Sequence, residues 1–83
     1  MKELVKELLH ELKDKEITFC DLDNYMITKG FYSVYDDNDV HDIIDNSNVV
    51  YTLNDDSLKE VIIYFNVTSK NNIELKVINI EEF

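Results

Sequence analysis

Hydrophobic residues recur at helical spacing in the first part of the chain and at alternate positions in the last part. Leu4, Val5, Leu8, Leu9 and Leu12 form one apolar stripe, which predicts a helix over residues 2–14. Glu3, Glu7 and Glu11 make a row on its other side, read as a solvated face. Lys13 to Glu16 interrupt the period and predict a turn, and Ile17-Thr18-Phe19 allows one short extended step. Thr18 followed by Asp21 fits a capping box, a hydroxyl at the N-cap and a carboxylate at N3. A second helix is predicted from there to about Lys29, burying Phe19, Leu22, Tyr25 and Met26. Gly30, the only glycine, stands where a helix end needs left-handed dihedrals.

Phe31 to Tyr35 is aromatic-rich and reads as extended or as a packed loop. Asp36 or Asp37 then caps a third, short helix to about Asn46, with Val40, Ile43 and Ile44 inward. Beyond it the period changes to two. Val49 to Leu53 is β-branched and aromatic, and Asn54-Asp55-Asp56-Ser57 is a turn cluster. Val61, Ile63, Phe65 and Val67 alternate with Ile62, Tyr64, Asn66 and Thr68, which gives this strand one clearly apolar face, and Ile73, Leu75 and Val77 alternate with Glu74 and Lys76. The alternation slips at Val77-Ile78, a sign of a bulge or of the end of regular pairing, and Glu81-Glu82-Phe83 reads as an acidic tail. The expected fold is a single α+β domain over residues 1–83, with two to three N-terminal helices packed on a three-stranded antiparallel β-meander. The order is close to a winged helix, with residues 36–46 in the place of the recognition helix.

Charge changes this picture from a fold into a surface. The 83 residues carry 18 acids and 8 bases, a net charge of -10. All the bases are lysine, and arginine, the usual fork for phosphate, is absent. Direct binding to nucleic acid or to an anionic membrane is therefore disfavoured. Residues 35–56 hold seven aspartates, and no lysine or arginine occurs from Gly30 through Leu58. Asp36, Asp37, Asp39, Asp42, Asp45, Asp55 and Asp56, with Tyr32 and Tyr35 beside them, form the candidate surface for a basic partner. On a helix, carboxylates three or four residues apart stand about 5–6 Å from one another. That is close to the spacing of phosphates, so the row Asp36, Asp39, Asp42 and Asp45 can occupy lysine and arginine pockets built for nucleic acid.

The chain offers little for catalysis. Cys20 is the only cysteine, so it forms no internal disulfide, and a buried, inert thiol is expected. His41 with Asp37 and Asp45 has the spacing of one helix face, but a solvated acidic face is the simpler reading and no metal site is assigned. There is no phosphate loop, nucleophile elbow or Cys-x-x-Cys, so neither enzyme activity nor a cofactor is expected. The first residues lack a signal-peptide pattern and no apolar run is long enough to span a membrane, which makes the cytoplasm the expected compartment.

The segment Gly30-Phe31-Tyr32-Ser33-Val34-Tyr35-Asp36-Asp37, with Asn48-Val49-Val50-Tyr51-Thr52 after it, looks like a pattern in small proteins of phages and mobile elements. In size, acidity and α-then-β order the chain resembles anti-CRISPR and other anti-defence proteins. That resemblance implies an inhibitor of a host nuclease or CRISPR effector that acts by mimicking nucleic acid, and it carries no functional residue across. Two other readings fit the same composition: an immunity protein or antitoxin that neutralises a basic toxin, and a winged-helix-like protein–protein adaptor without DNA binding.

Overall fold

The computed structural model describes residues 2–33, 40–55 and 59–82. Among these residues the fold is α+β: three helices and a five-stranded antiparallel sheet curled into a half-barrel. In chain order the elements are α1 (Lys2–Leu12), β1 (Glu16–Thr18), α2 (Phe19–Thr28), β2 (Phe31–Ser33), α3 (Val40–Asn46), β3 (Asn48–Leu53), β4 (Glu60–Ser69) and β5 (Glu74–Glu82). Across the sheet the strands run β1-β5-β4-β3-β2. The expected meander is thus the middle of a wider sheet, because the chain before it supplies a strand to each edge. β1 pairs with β5 and β2 with β3, three residue pairs each. A three-residue strand shows too little alternation to be read as one.

The winged-helix expectation also gives way. The helices pack chiefly on strands, α1 on β5, α2 on β1 and β2, α3 on β3, so a broad sheet rather than a helix trio frames the core. Val61, Ile63 and Phe65 on β4, Leu75, Val77 and Ile80 on β5, and Val49 and Tyr51 on β3 form one cluster with Leu8 and Leu12, with Phe19, Leu22 and Met26, and with Ile44. All three helices therefore cover the same face of the sheet. Val67, expected inside with its strand, is half-buried.

The slip read at Val77-Ile78 is a bulge. Tyr64 pairs with Asn79 and Phe65 with Val77, which leaves Ile78 as an extra residue on β5. Leu75 and Val77 point inward before it and Ile80 after it, while Ile78 itself is 40% exposed. A second irregularity between Val67 and Ser69 leaves Thr68 extra on β4. Bulges bend and twist the strand that carries them, in keeping with the curl of this sheet. Pairing resumes past Ile78 and runs to Glu82 opposite Val61, so Glu81 and Glu82 are strand residues and not a tail.

Local chemistry accounts for the joints. The Asp21 amide donates to the Thr18 hydroxyl at 3.1 Å, the cap expected from the sequence. The Phe19 amide at the start of α2 donates to the Ile73 carbonyl at 2.8 Å, which ties the helix to the β4–β5 turn. Ile73 has φ 53, a conformation a β-branched residue adopts only under strain. Gly30 has φ 89 directly after α2, and its carbonyl accepts from the Asn54 amide at 2.7 Å. A side chain there would be strained in the left-handed turn between α2 and β2.

Candidate protein-binding surface

Asp42 and Asp45 lie on α3 and are exposed. Asp55 is exposed just after β3, and Tyr32, on edge strand β2, is 45% exposed. Asp36, Asp37, Asp39, Tyr35 and Asp56 lie outside the described residues. The proposed row on the third helix is thus described only at Asp42 and Asp45. Asp45 stands 3.7 Å from the Lys70 ammonium, with side chains 66% and 76% exposed. A pair so open to solvent adds little to stability and leaves the carboxylate free to exchange partners.

The fold separates what the sequence placed in one block. β3 runs for six residues between α3 and Asp55, about 20 Å at roughly 3.3 Å per residue. Asp42 and Asp45 therefore lie at one end of β3 and Asp55 at the other. Tyr32 pairs with Thr52 between these ends. His41 is exposed beside Asp42. Among the described residues, no three His, Cys, Asp or Glu side chains are placed to share a metal ion.

Cys20 departs from expectation. It is exposed, since Phe19, Leu22 and Met26 take the inward positions of α2 and turn its neighbour outward. Its sulfur accepts from the Asn24 side-chain amide at 3.9 Å.

Two polar arrangements between distant elements were not legible in the sequence. The first corrects the reading of Glu7 and Glu11 as merely solvated. The Tyr25 hydroxyl donates to the Glu11 carboxylate, and the Lys29 ammonium stands 3.4 Å from Glu7 and 3.8 Å from Glu11. Lys29 also lies 5.5 Å from the centre of the Tyr25 ring. These contacts clamp α1 to α2. The second is the hydroxyl of buried Tyr51, which donates to Asp23 at 3.0 Å. The available signal was the inward parity of Tyr51 with Val49, because a buried phenol needs an acceptor.

The α1–α2 clamp has a pH signature. The Tyr25 hydrogen bond holds the Glu11 carboxyl below its ordinary value of 4.5; burial opposes it, and Lys29, Lys15 and His10 add to the lowering. Burial first, and then Glu11, push the Tyr25 phenol up from its ordinary 10.0. The lowered Glu11 contributes stability above pH 4.5 that is lost as pH falls through its folded value. The raised Tyr25 keeps its contribution below pH 10.0, and that contribution fades as the pH climbs beyond. Tyr25→Phe should therefore lower the urea midpoint at pH 7, and the gap from the parent should close in acid as Glu11 protonates. A gap of equal size at both pH values would show that the carboxylate is not what Tyr25 serves.

Compared with protein-family models, with curated proteins and with solved structures, the chain matches none significantly. Fold and composition define its class: a small, strongly acidic α+β protein.

Proposed function

We propose that this protein is an inhibitor that binds the basic, nucleic-acid-binding surface of a host defence nuclease or CRISPR effector. The observation that carries the reading is the charge: a net -10 with no arginine, with Asp42, Asp45 and Asp55 all exposed. A surface of one sign steers a basic partner and repels nucleic acid. Asp36, Asp39 and Asp42 supply the carboxylate row that stands in for phosphates, and Asp37, Asp45, Asp55, Asp56, Tyr32 and Tyr35 extend the contact. The protein acts on its partner without catalysis or cofactor, in the cytoplasm of the host.

The test is titration into cleavage reactions run with a panel of RNA-guided and restriction nucleases. At least one should lose DNA binding, and the inhibition should weaken steeply with added salt. Duplex DNA alone should show no shift with the protein at low salt. Changing Asp36, Asp39 and Asp42 together to Asn should slow association while leaving the fold intact. The matched control changes Glu3, Glu16 and Glu74 to Gln, because Glu7 and Glu11 are taken up by Lys29 and Tyr25. Equal losses in both variants would mean that only net charge matters. Full inhibition by the aspartate variant would remove the acidic row from the site.

A further inference from the structure

The face of the sheet opposite the helices is the second feature of the molecule that the fold itself does not use. Its residues follow from the register. Tyr32 stands beside Thr52, and Thr52 beside Glu60. Val50 stands beside Ile62, and Ile62 beside Glu81. Asn48 stands beside Tyr64, and Tyr64 beside Asn79. The last two rows cross β3, β4 and β5, and the first runs from Tyr32 on β2 through β3 to β4. Every described helix packs its buried residues into the cluster on the other face. Thr52 is buried, Val50, Ile62 and Tyr64 are half-buried, and Tyr32 is 45% exposed.

Two properties make this face different from an ordinary outer sheet surface. The first is an apolar centre: an antiparallel sheet with one solvated face normally alternates to polar residues there, and Val50, Ile62 and Tyr64 do not. The second is the charge around it. The only charged residues in these rows are carboxylates, Glu60 next to Thr52 and Glu81 next to Ile62. The nearest lysine in the register, Lys76, sits one row further on, opposite Asn66. Aromatic and aliphatic side chains flanked by carboxylates form the kind of interface centre at which a few desolvated anchors carry the energy. A second copy of this chain would bring the same carboxylates and the same net charge to the contact, which argues against self-association.

We propose that the outer face, centred on Val50, Ile62 and Tyr64 with Tyr32, Glu60 and Glu81 around it, docks a basic protein segment that alternates cationic and apolar side chains. The apolar residues of that segment cover Val50, Ile62 and Tyr64, and its arginines or lysines reach Glu60 and Glu81. This deepens the proposed function, on which it rests for the sign of the partner: the acidic row provides steering and the outer face provides the dry contact. Charge at the rim sets the association rate, and the apolar centre slows dissociation.

The experiment uses two synthetic peptides of equal length and charge, one alternating arginine with leucine and tyrosine, the other alternating arginine with serine. Each is titrated into the isotope-labelled protein, and backbone amide shifts are followed. The apolar-bearing peptide should perturb amides at Tyr32, at 48–52, at 60–64 and at 79–81, and it should bind on the order of tenfold tighter than the serine peptide. Ile62→Lys should abolish that difference in affinity. If this variant does not fold, the map on the parent protein decides the matter alone. Shifts confined to α3, or equal affinity for the two peptides, would overturn the outer face as a docking site and leave the acidic-row reading standing. Failure of both peptides to bind at low salt would overturn the basic-partner reading itself, and the outer-face proposal with it.

Discussion

Phe65→Ala should lower the unfolding free energy by about 3–5 kcal/mol, the range expected for removing a buried aromatic ring and leaving a cavity. Phe65 is 1% exposed, in the middle strand of the sheet, next to Val77 on β5. It shares the one hydrophobic cluster with side chains from all three helices. No second core exists among the described residues to absorb the loss. A domain of this size has only a few kcal/mol in reserve, so the variant should be largely unfolded at physiological temperature. Denaturant unfolding followed by circular dichroism checks the prediction, and a loss well under 1 kcal/mol would mean that the ring does not face the core.

A second large effect separates two isoleucines that are two residues apart. Ile80→Asp should cost about 4 kcal/mol or more and leave little folded protein, because Ile80 is 2% exposed opposite Ile63 and an unpaired carboxylate there has no partner. Ile78→Asp should stay within about 0.5 kcal/mol of the parent, because Ile78 is the 40% exposed extra residue of the bulge. In an unbroken strand, residues two apart share a face and the two variants would behave alike. Thermal melts of both proteins therefore test the bulge directly. The opposite order of stability would place the extra residue elsewhere in β5.

Legibility in the sequence followed the length of the periodic signal. The ten residues of β4 and the apolar stripe of α1 repeat often enough for their faces to be assigned without a structure. The cap at Thr18 and the turn at Gly30 were readable because each rests on the chemistry of one residue type. Edge strands β1 and β2 were at most allowed for, since three residues each hold barely one alternation. Cys20 was misplaced because cysteine is usually buried, a preference that the inward spacing of Phe19, Leu22 and Met26 overrides. The candidate surface was legible as charge but not as shape. A run of aspartates announces its sign in one dimension, while the length of β3 decides that Asp45 and Asp55 stand at opposite ends of a strand.

The sequence by itself determined the α+β class, the inward faces of α1 and β4, the break in alternation at Val77-Ile78 and the sign of the molecule's field. These are local or summed properties: periodicity is fixed by the geometry of a helix or strand, and net charge by counting. Tertiary structure alone decided that β1 and β2 would close the two sides of the sheet, that Glu7 and Glu11 would bind Lys29 and Tyr25, and that Tyr51 would reach Asp23. It also decided that Val50, Ile62 and Tyr64 would meet on the face the helices leave bare. Each of these joins residues far apart in the chain, and the partner of a hydrogen bond or of a strand is chosen by the whole packed arrangement, which no local pattern encodes.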